Sequence, residues 1–543
     1  MREAALSLAY QPLISILMPV YNPPESFLRA AIESVLDQVY LRWELCITDD
    51  VSDVNTHTIL NEYANRDPRI KVVFRSENGQ IAAASNSALD QATGEFIALL
   101  DHDDVLAPEA LYEVASLLNH HPDADMIYSD EDKLDSQGQR IHPFFKPDWC
   151  PDSFLSRMYT CHLGVYRRRI VNQIGGFRLG YEGSQDYDLV LRLTEQTERI
   201  FHIPKVLYHW RSHANSMAGL FSAKPYADAA AQRALTEACQ RRQEPIERIE
   251  THPDRPGVYV LRYTITEYKP VSIIIPTRNL GTVLDRCLHS LFTKTTYPNY
   301  EVILIDNGSN EIDTLSIIAQ WEQKEPERLK CYSLDIPFNY SQINNLAVTE
   351  ASGNYLLFLN NDVEIIAPDW IEAMVEQAQR PSIGAVGGLL FYPDDTVQHA
   401  GVVLGVGGVA GHSHRYFPSD DWGYVSQLIS VNNYSAVTAA CMMCRRSVFE
   451  QVGGFDETLA VAFNDVDLCL KMQQVGCRNV CLPHVQLYHH ESRSRGLEDT
   501  PEKRHRFQQE QDILQQRWGE QLQQDPCYSP HLSLDREDYS IRF

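Results

Sequence analysis

A chain of 543 residues is too long for one ordinary hydrophobic core, so two domains of roughly 250 residues each are expected. Its composition, 44% hydrophobic and 22% charged, is that of a globular protein and not of a disordered one. With 47 basic against 73 acidic residues the formal net charge is −26, which argues against nucleic acid and anionic membrane surfaces as non-specific partners.

No apolar run approaches the roughly 20 residues that span a bilayer; "AVTAACMMC" (436–444) falls short. The opening "MREAALSLAYQPLIS" has no secretory h-region or cleavage site. The expectation is a cytoplasmic protein with at most peripheral contact at the inner face of the membrane. The 12 cysteines are scattered, and the one CxxC, Cys441 to Cys444, lies in an apolar run without a second pair. Packed, reduced thiols are therefore expected in place of a structural zinc.

In chain order, "ISILMPV" (14–20) reads as a strand, "ESFLRAAIESVLDQ" (25–38) as an amphipathic helix and "WELCITDD" (43–50) as the next strand. "FIALLDHDD" (96–104) is a buried strand running straight into four polar residues, three of them acids, and "DDVLAPEALYEVASLL" (103–118) reads as a helix beginning there. In "EGSQDYDLVLRL" (182–193) a polar turn gives way to a helix, and "IPKVLYH" (203–209) is strand-like. Residues 241–270 read as a connection. Beyond 496 the chain turns Gln- and Glu-rich, as a terminal helix followed by an irregular tail.

The pattern then proves to occur twice. "ISILMPVYN" is echoed by "VSIIIPTRN", placing Pro19 on Pro276, and "WELCITDDVSD" by "YEVILIDNGSN", placing Asp50 on Asn307, both at a shift of 257. "ATGEFIALLDHDD" and "ASGNYLLFLNNDV" align Asp103 with Asp362 at 259; "QDYDLVLRL" and "NDVDLCLKM" align Asp186 with Asp465 at 279; "VLYHWR" and "QLYHHE" align His209 with His489 at 280. "IGGF" and "VGGF" fall between, at 278. A nearly constant shift with one jump of 19 is a duplication with one insertion, placed in "HAGVVLGVGGVAGHSHR" (399–415). The expected domains are 12–250 and 268–500, with a helix and tail over 501–543. Alternating strands and helices predict a doubly wound, mostly parallel α/β sheet in each, with ligands outside the carboxyl ends of the strands.

The strand-end acids carry the chemistry. Asp101 and Asp103 can both reach one hard cation, which would neutralise a departing diphosphate; equally, they can cap the helix that follows. Asp50 can accept the ring N–H of a pyrimidine or can form a turn. Asp186 can act as general base toward a hydroxyl or serve as an N-cap. His209 can complete a metal shell or simply pack. Trp149 and Trp370 can stack on sugar faces or pack, and Trp149, in a polar loop, is the better candidate.

Together these motifs resemble, in their order, the family-2 glycosyltransferases of the GT-A fold, in tandem. The resemblance covers roughly 12–250 and 270–495. It implies inverting transfer from a nucleotide-diphosphate sugar. Pro19, Tyr21, Asp50 and Asp101 would contact the donor; Asp101 and Asp103, assisted by His209, would hold Mn²⁺ or Mg²⁺; Asp186 would be the base. In the second copy Pro276, Asp306, Asn307 and Asn360 would contact the donor, Asp362 and His489 would hold the metal, and Asp465 would be the base. "LNNDVEI", "HHESRSRG" and "DPCYSPHLSLDREDYS" look like bacterial rhamnosyltransferases and O-antigen assembly enzymes. That implies dTDP-rhamnose or a UDP-sugar as donor and a glycan or lipid-linked saccharide as acceptor. The copies depart from the family at Asn307 and Asn360, each in place of an acid, and at Gln185, where Glu is usual. The alternative reading is one catalytic domain beside a degenerate sugar- or acceptor-binding one. A sugar nucleotidyltransferase is disfavoured, because "PVYNPPES" and "PTRNLGTV" are not the Gly-rich, Arg-bearing loop that such enzymes place after the first strand.

Overall fold

The computed structural model describes residues 1–212, 225–490 and 500–542. They form two compact units, residues 1–149 with 157–259 and residues 150–156 with 260–543. In the first, Ile14–Val20 is central, buried on both faces as its near-continuous apolar run requires. Trp43–Asp49 pairs parallel on one side, Ile14 against Trp43 through Val20 against Asp49, and Ile70–Phe74 continues the sheet. Phe96–Leu99 pairs parallel on the other side. Beyond it the sheet becomes mixed: Gly164–Arg167 runs antiparallel, followed by Met126–Leu134, Ile200–Arg211 and Val105–Leu106.

The second unit repeats this order strand for strand. Val271–Thr277 is central, Tyr300–Asp306 and Leu329–Ser333 lie on one side and Tyr355–Leu359 on the other. Cys441–Arg445, Ile383–Phe391, Arg478–His489 and Val363–Ile365 complete it. Both sheets are thus mixed and mostly parallel in their first halves, as an α/β reading requires.

The duplication reaches individual hydrogen bonds. Ser15 donates to Glu44 (2.6 Å) and accepts from the Gly94 N–H (2.9 Å); Ser272 donates to Glu301 (2.7 Å) and accepts from the Gly353 N–H (2.8 Å). A Cβ on Gly94 would fall 2.6 Å from the Leu13 carbonyl oxygen, and one on Gly353 2.5 Å from the Ser272 nitrogen, so both positions need glycine. The second glycine of each Gly-Gly-Phe has φ +68° and turns the chain so that Asn86, or Asn345, clamps the following phenylalanine through its N–H and C=O.

Three expectations change in detail. The helix expected from Asp103 begins only at Ala110, after the short strand Val105–Leu106, so Asp101 and Asp103 cap no helix. The connection between copies holds two short strands, Ile246–Thr251 and Tyr259–Tyr263. The inserted stretch forms a hairpin, Val402–Leu404 against Ala410–His412. The terminal helix, Pro501–Trp518, is capped by Thr500. Its Glu510 accepts the N–H groups of Val461 and Ala462 (2.9 and 3.0 Å), and the tail supports the hairpin through Asp525 to the Leu404 N–H and Glu537 to the His412 N–H. None of the 12 cysteines is in a disulfide. Among the described residues no helix is long and apolar enough to cross a membrane.

Candidate active site

In the first unit the carboxyl ends of the central strands gather the acids. Asp49 accepts from the Ser52 N–H (3.0 Å) and sits 2.9 Å from His57 Nε2, which fixes the turn. Asp50, buried, faces the other way: it accepts from the Gly79 N–H (3.0 Å) and pairs with Arg75 at 2.9 Å. Pro19 lends its carbonyl to His102 (3.1 Å), and Tyr21 is exposed on the following loop.

One strand over, the Asp101 N–H meets the Tyr208 hydroxyl (3.2 Å) and the Asp103 carbonyl accepts from Arg211 (2.9 Å). Asp104 is buried; it accepts from the Tyr208 hydroxyl (2.6 Å) and the Arg211 N–H (2.7 Å), a clamp that fixes the loop. Burial, and secondarily the neighbouring acids, raise Asp101 and Asp104 above the usual carboxylate range. His209 Nδ1 is 2.6 Å from Asp132, which orients its ring. Asp186 is the second residue of the helix Gln185–Leu193, whose N-cap is Ser184; it is no cap, and burial raises its pKa.

Sequence reasoning missed His162. It stands just before the strand Gly164–Arg167, with its N–H and Nδ1 on Glu131 (3.1 and 3.2 Å) and its ring stacked on Tyr208. Its ligand-capable atoms lie within 4.8 Å of those of Asp101 and Asp104. Burial opposes its protonation, but Glu131, Asp101 and Asp104 outweigh that and raise its pKa to about 9. Lys146, fully buried, donates to the same Glu131 oxygen, Oε2, at 3.0 Å. No sequence signal could have found His162 through the repeat. The paired registers put Arg167 opposite Phe96 and Arg445 opposite Tyr355, so His162 corresponds to Ala440, and Asp104 to Val363.

The second crevice is a cavity of about 490 Å³ lined by Pro276, Asn307, Asn360, Asp362, Asp465 and His489, among others. Asp306 accepts from the Ser309 N–H (2.9 Å), the turn-forming part that Asp49 plays in the first copy. Asn307 spends both amide protons on the carbonyls of Leu334 and Ile336 (2.7 and 2.9 Å). Its Oδ1 is buried without a partner at the cavity wall. Asp465 accepts from the N–H groups of Ala439 (3.0 Å) and Val466 (2.9 Å), and burial raises its pKa.

His489 Nδ1 donates to Gln398 (2.6 Å), so Nε2 turns its lone pair toward Asp362 Oδ1 at 3.1 Å, with the Asn360 amide at 3.2 Å. Adjacent ligands of an octahedral ion with bonds near 2.1 Å stand about 3 Å apart. The Asp362–His489 pair therefore fits Mn²⁺ or Mg²⁺, and the carboxylate and imidazole groups of the first crevice supply the same donor chemistry. Of the tryptophans, Trp370 is wholly buried and donates to Thr295 (3.0 Å), which makes it a packing residue; Trp149 stacks on Tyr159. In "HHESRSRG", residues 491–496 lie outside the described residues.

Residues 15–175 and 272–453 match the model of Glycosyl transferase family 2; the chain belongs to that family, in two copies. Over 98% of its length it is 48% identical to the uncharacterized protein y4gI of Sinorhizobium fredii, covering 58% of that protein. Over its full length it is 41% identical to the O-antigen biosynthesis protein RfbC of Myxococcus xanthus, covering 42% of it. The chain thus spans about half the length of these relatives. Among solved structures it is similar to S. aureus TarS 1-349 in complex with UDP-GlcNAc, with 21% identity, a TM-score of 0.35, and coverage of 42% of this chain and 66% of that one.

Proposed function

We propose that the chain is a two-site glycosyltransferase moving sugars, with inversion, from nucleotide-diphosphate donors to a glycan or lipid-linked saccharide during assembly of an O-antigen-like surface polysaccharide. The observation that carries this reading is the recurrence of one constellation in both units. A strand-end acceptor (Asp50 or Asn307) and a carboxylate at a helix start (Asp186 or Asp465) stand at matching positions of both units, with Asp101, Asp104 and His162 close together in the first and Asp362 and His489 in the second. Family membership supports glycosyl transfer, and the likeness to a protein named for O-antigen biosynthesis supports the polysaccharide.

Each unit divides the work among its own residues. Asp50 and Asn307 present oxygens to the ring N–H of uracil or thymine, in keeping with dTDP-rhamnose or a UDP-sugar as donor. Asp186 and Asp465 take the proton of the acceptor hydroxyl as it attacks the anomeric carbon. Their raised pKa values bring them closer to working pH, which favours proton transfer. Bound between Asp362 and His489, or among the acids and histidines of the first crevice, Mn²⁺ or Mg²⁺ supplies charge neutralisation to the departing diphosphate. Peripheral contact with the inner membrane face, where a lipid-linked acceptor would be met, belongs to the same proposal.

Asn307 and Asn360 favour a second reading, in which the second unit only holds saccharide. Asp186→Asn and Asp465→Asn, assayed separately for sugar transfer, separate the two. The two-site reading expects each variant to lose one transfer, with inversion visible in the product's anomeric proton signal. Complete loss in the first and none in the second would leave a single catalytic unit.

A further inference from the structure

His162 is a ligand-capable group that the duplication does not share, and its surroundings define its use. The two copies differ there in a correlated way. Where the first has Asp101 and His162, the second has Asn360 and Ala440, counting outward from the paired strands. Behind His162 stand Glu131 and buried Lys146; the second copy has an apolar strand, Ile383–Phe391, in that place, buried throughout.

The geometry is that of a nitrogen ligand held from behind. A histidine bound to a metal through one ring nitrogen commonly gives the other to a carboxylate, which sets the ring's direction. Glu131 does this for Nδ1 (3.2 Å), the stacked Tyr208 ring fixes the plane at a centroid distance of 4.5 Å, and Lys146 (3.0 Å) fixes Glu131 in turn. Asp101 is within 4.8 Å of the histidine's ligand atom. Lys146 and Arg211 are committed to Glu131 and to the Asp103 carbonyl.

Resting on the two-site reading above, we propose that His162, giving up its ring proton as the ion binds, is a nitrogen ligand of the divalent cation in the first crevice, alongside Asp101, and that the second crevice, with Asn360 and Ala440, holds its cation more weakly.

The test uses Mn²⁺ alone as the probe on the full chain carrying Asp362→Asn, which disables the second crevice. Mn²⁺ affinity is measured by equilibrium binding, and histidine nitrogen coupling to the bound Mn²⁺ by pulsed electron paramagnetic resonance with ¹⁴N- or ¹⁵N-histidine. Loss of the group behind a ligand costs ~10–100-fold in affinity, so His162→Gln is expected to weaken Mn²⁺ at least ~10-fold and to remove part of the nitrogen coupling. Glu131→Gln is expected to weaken binding while keeping the coupling, which separates a lost ligand from a disturbed fold. Unchanged affinity and coupling in His162→Gln would overturn the proposal and leave the two-site reading standing. So would weaker binding with unchanged coupling, which would make His162 a positioning residue only. No Mn²⁺ bound to the Asp362→Asn parent would overturn the proposal together with the metal-dependent reading of the first crevice.

Discussion

Restoring the family's aspartate in the second copy, by Asn307→Asp, should damage the site. Asn307, a residue of the cavity lining, donates both amide protons to the carbonyl oxygens of Leu334 and Ile336, at 2.7 and 2.9 Å, and leaves Oδ1 buried without a partner among the described residues. In the first copy Asp50 has opposite surroundings, an N–H of Gly79 and the Arg75 guanidinium. An ionised aspartate at 307 would turn an oxygen onto two part-buried carbonyls and strand them without donors. Each stranded group costs about 1–3 kcal/mol. The side chain escapes by taking up a proton, so its pKa must rise, and it can then donate to one carbonyl while offering the other oxygen to the base. Nucleotide binding should therefore become pH-dependent in a way the wild type is not, weakening as pH rises through the raised pKa. Ionisation strands one carbonyl more than the protonated form does, ~1–3 kcal/mol, so the loss at pH 8 is about 5–150-fold in Kd. Calorimetric titration with UDP and dTDP in Mn²⁺, on chains whose first crevice carries Asp103→Ala, measures it. Binding by Asn307→Asp at pH 8 as tight as wild type, or tighter, would refute the assigned amide orientation and the acceptor role built on it.

Asp152, buried among Arg380 (2.8 Å), Arg478 (2.7 Å) and Asn433 (2.8 Å), is held well below the usual carboxylate range because these partners outweigh burial. Asp152→Ala should destabilise the second unit by about 3–5 kcal/mol, read from urea unfolding. Burial works against ionisation of Glu44 and Glu301, but Lys71 with Ser15 and Thr93, and Ser352 with Lys330 and Ser272, lower both to about 2. Their contribution to stability is complete above the unfolded value of ~4.3 and is lost as pH falls toward 2. Acid unfolding of Glu44→Gln plus Glu301→Gln should be flatter over that window than that of the wild type. With Asp186 and Asp465 as bases, kcat/KM should fall on the acid side at a pH above the ordinary carboxylate range, and that limb should vanish from the residual activity of each Asn variant.

The fold was legible because it is written twice. The shift that aligns Ser15 with Ser272 and Gly94 with Gly353 marks a shared hydrogen-bond cluster, and the paired Gly-Gly-Phe marks a turn only glycine can make. The same property hid what the copies do not share. His162 and Asp104 have Ala440 and Val363 as counterparts, so comparing the copies discards them, and their importance emerges only when Tyr208, Glu131 and Asp101 are brought together from distant strands. Lys146 lies in "FFKPDW", beside Trp149, with nothing in its sequence neighbourhood to mark it; it is held by Glu131 and the carbonyls of Thr160 and His162. Asp306 and Asn307 are adjacent acceptors in sequence, and only the alternation of a strand end assigns one to the turn and the other to the cavity.

The proposed function requires two crevices in one chain, each holding a nucleoside diphosphate and a divalent ion. Its most direct test is the stoichiometry of nucleotide binding in saturating Mn²⁺, with UDP and dTDP titrated into the full chain. Two sites are predicted, one abolished by Asp103→Ala, the other by Asp362→Ala, and both by the pair together. A single site untouched by either substitution, or no binding to a folded chain, would contradict it.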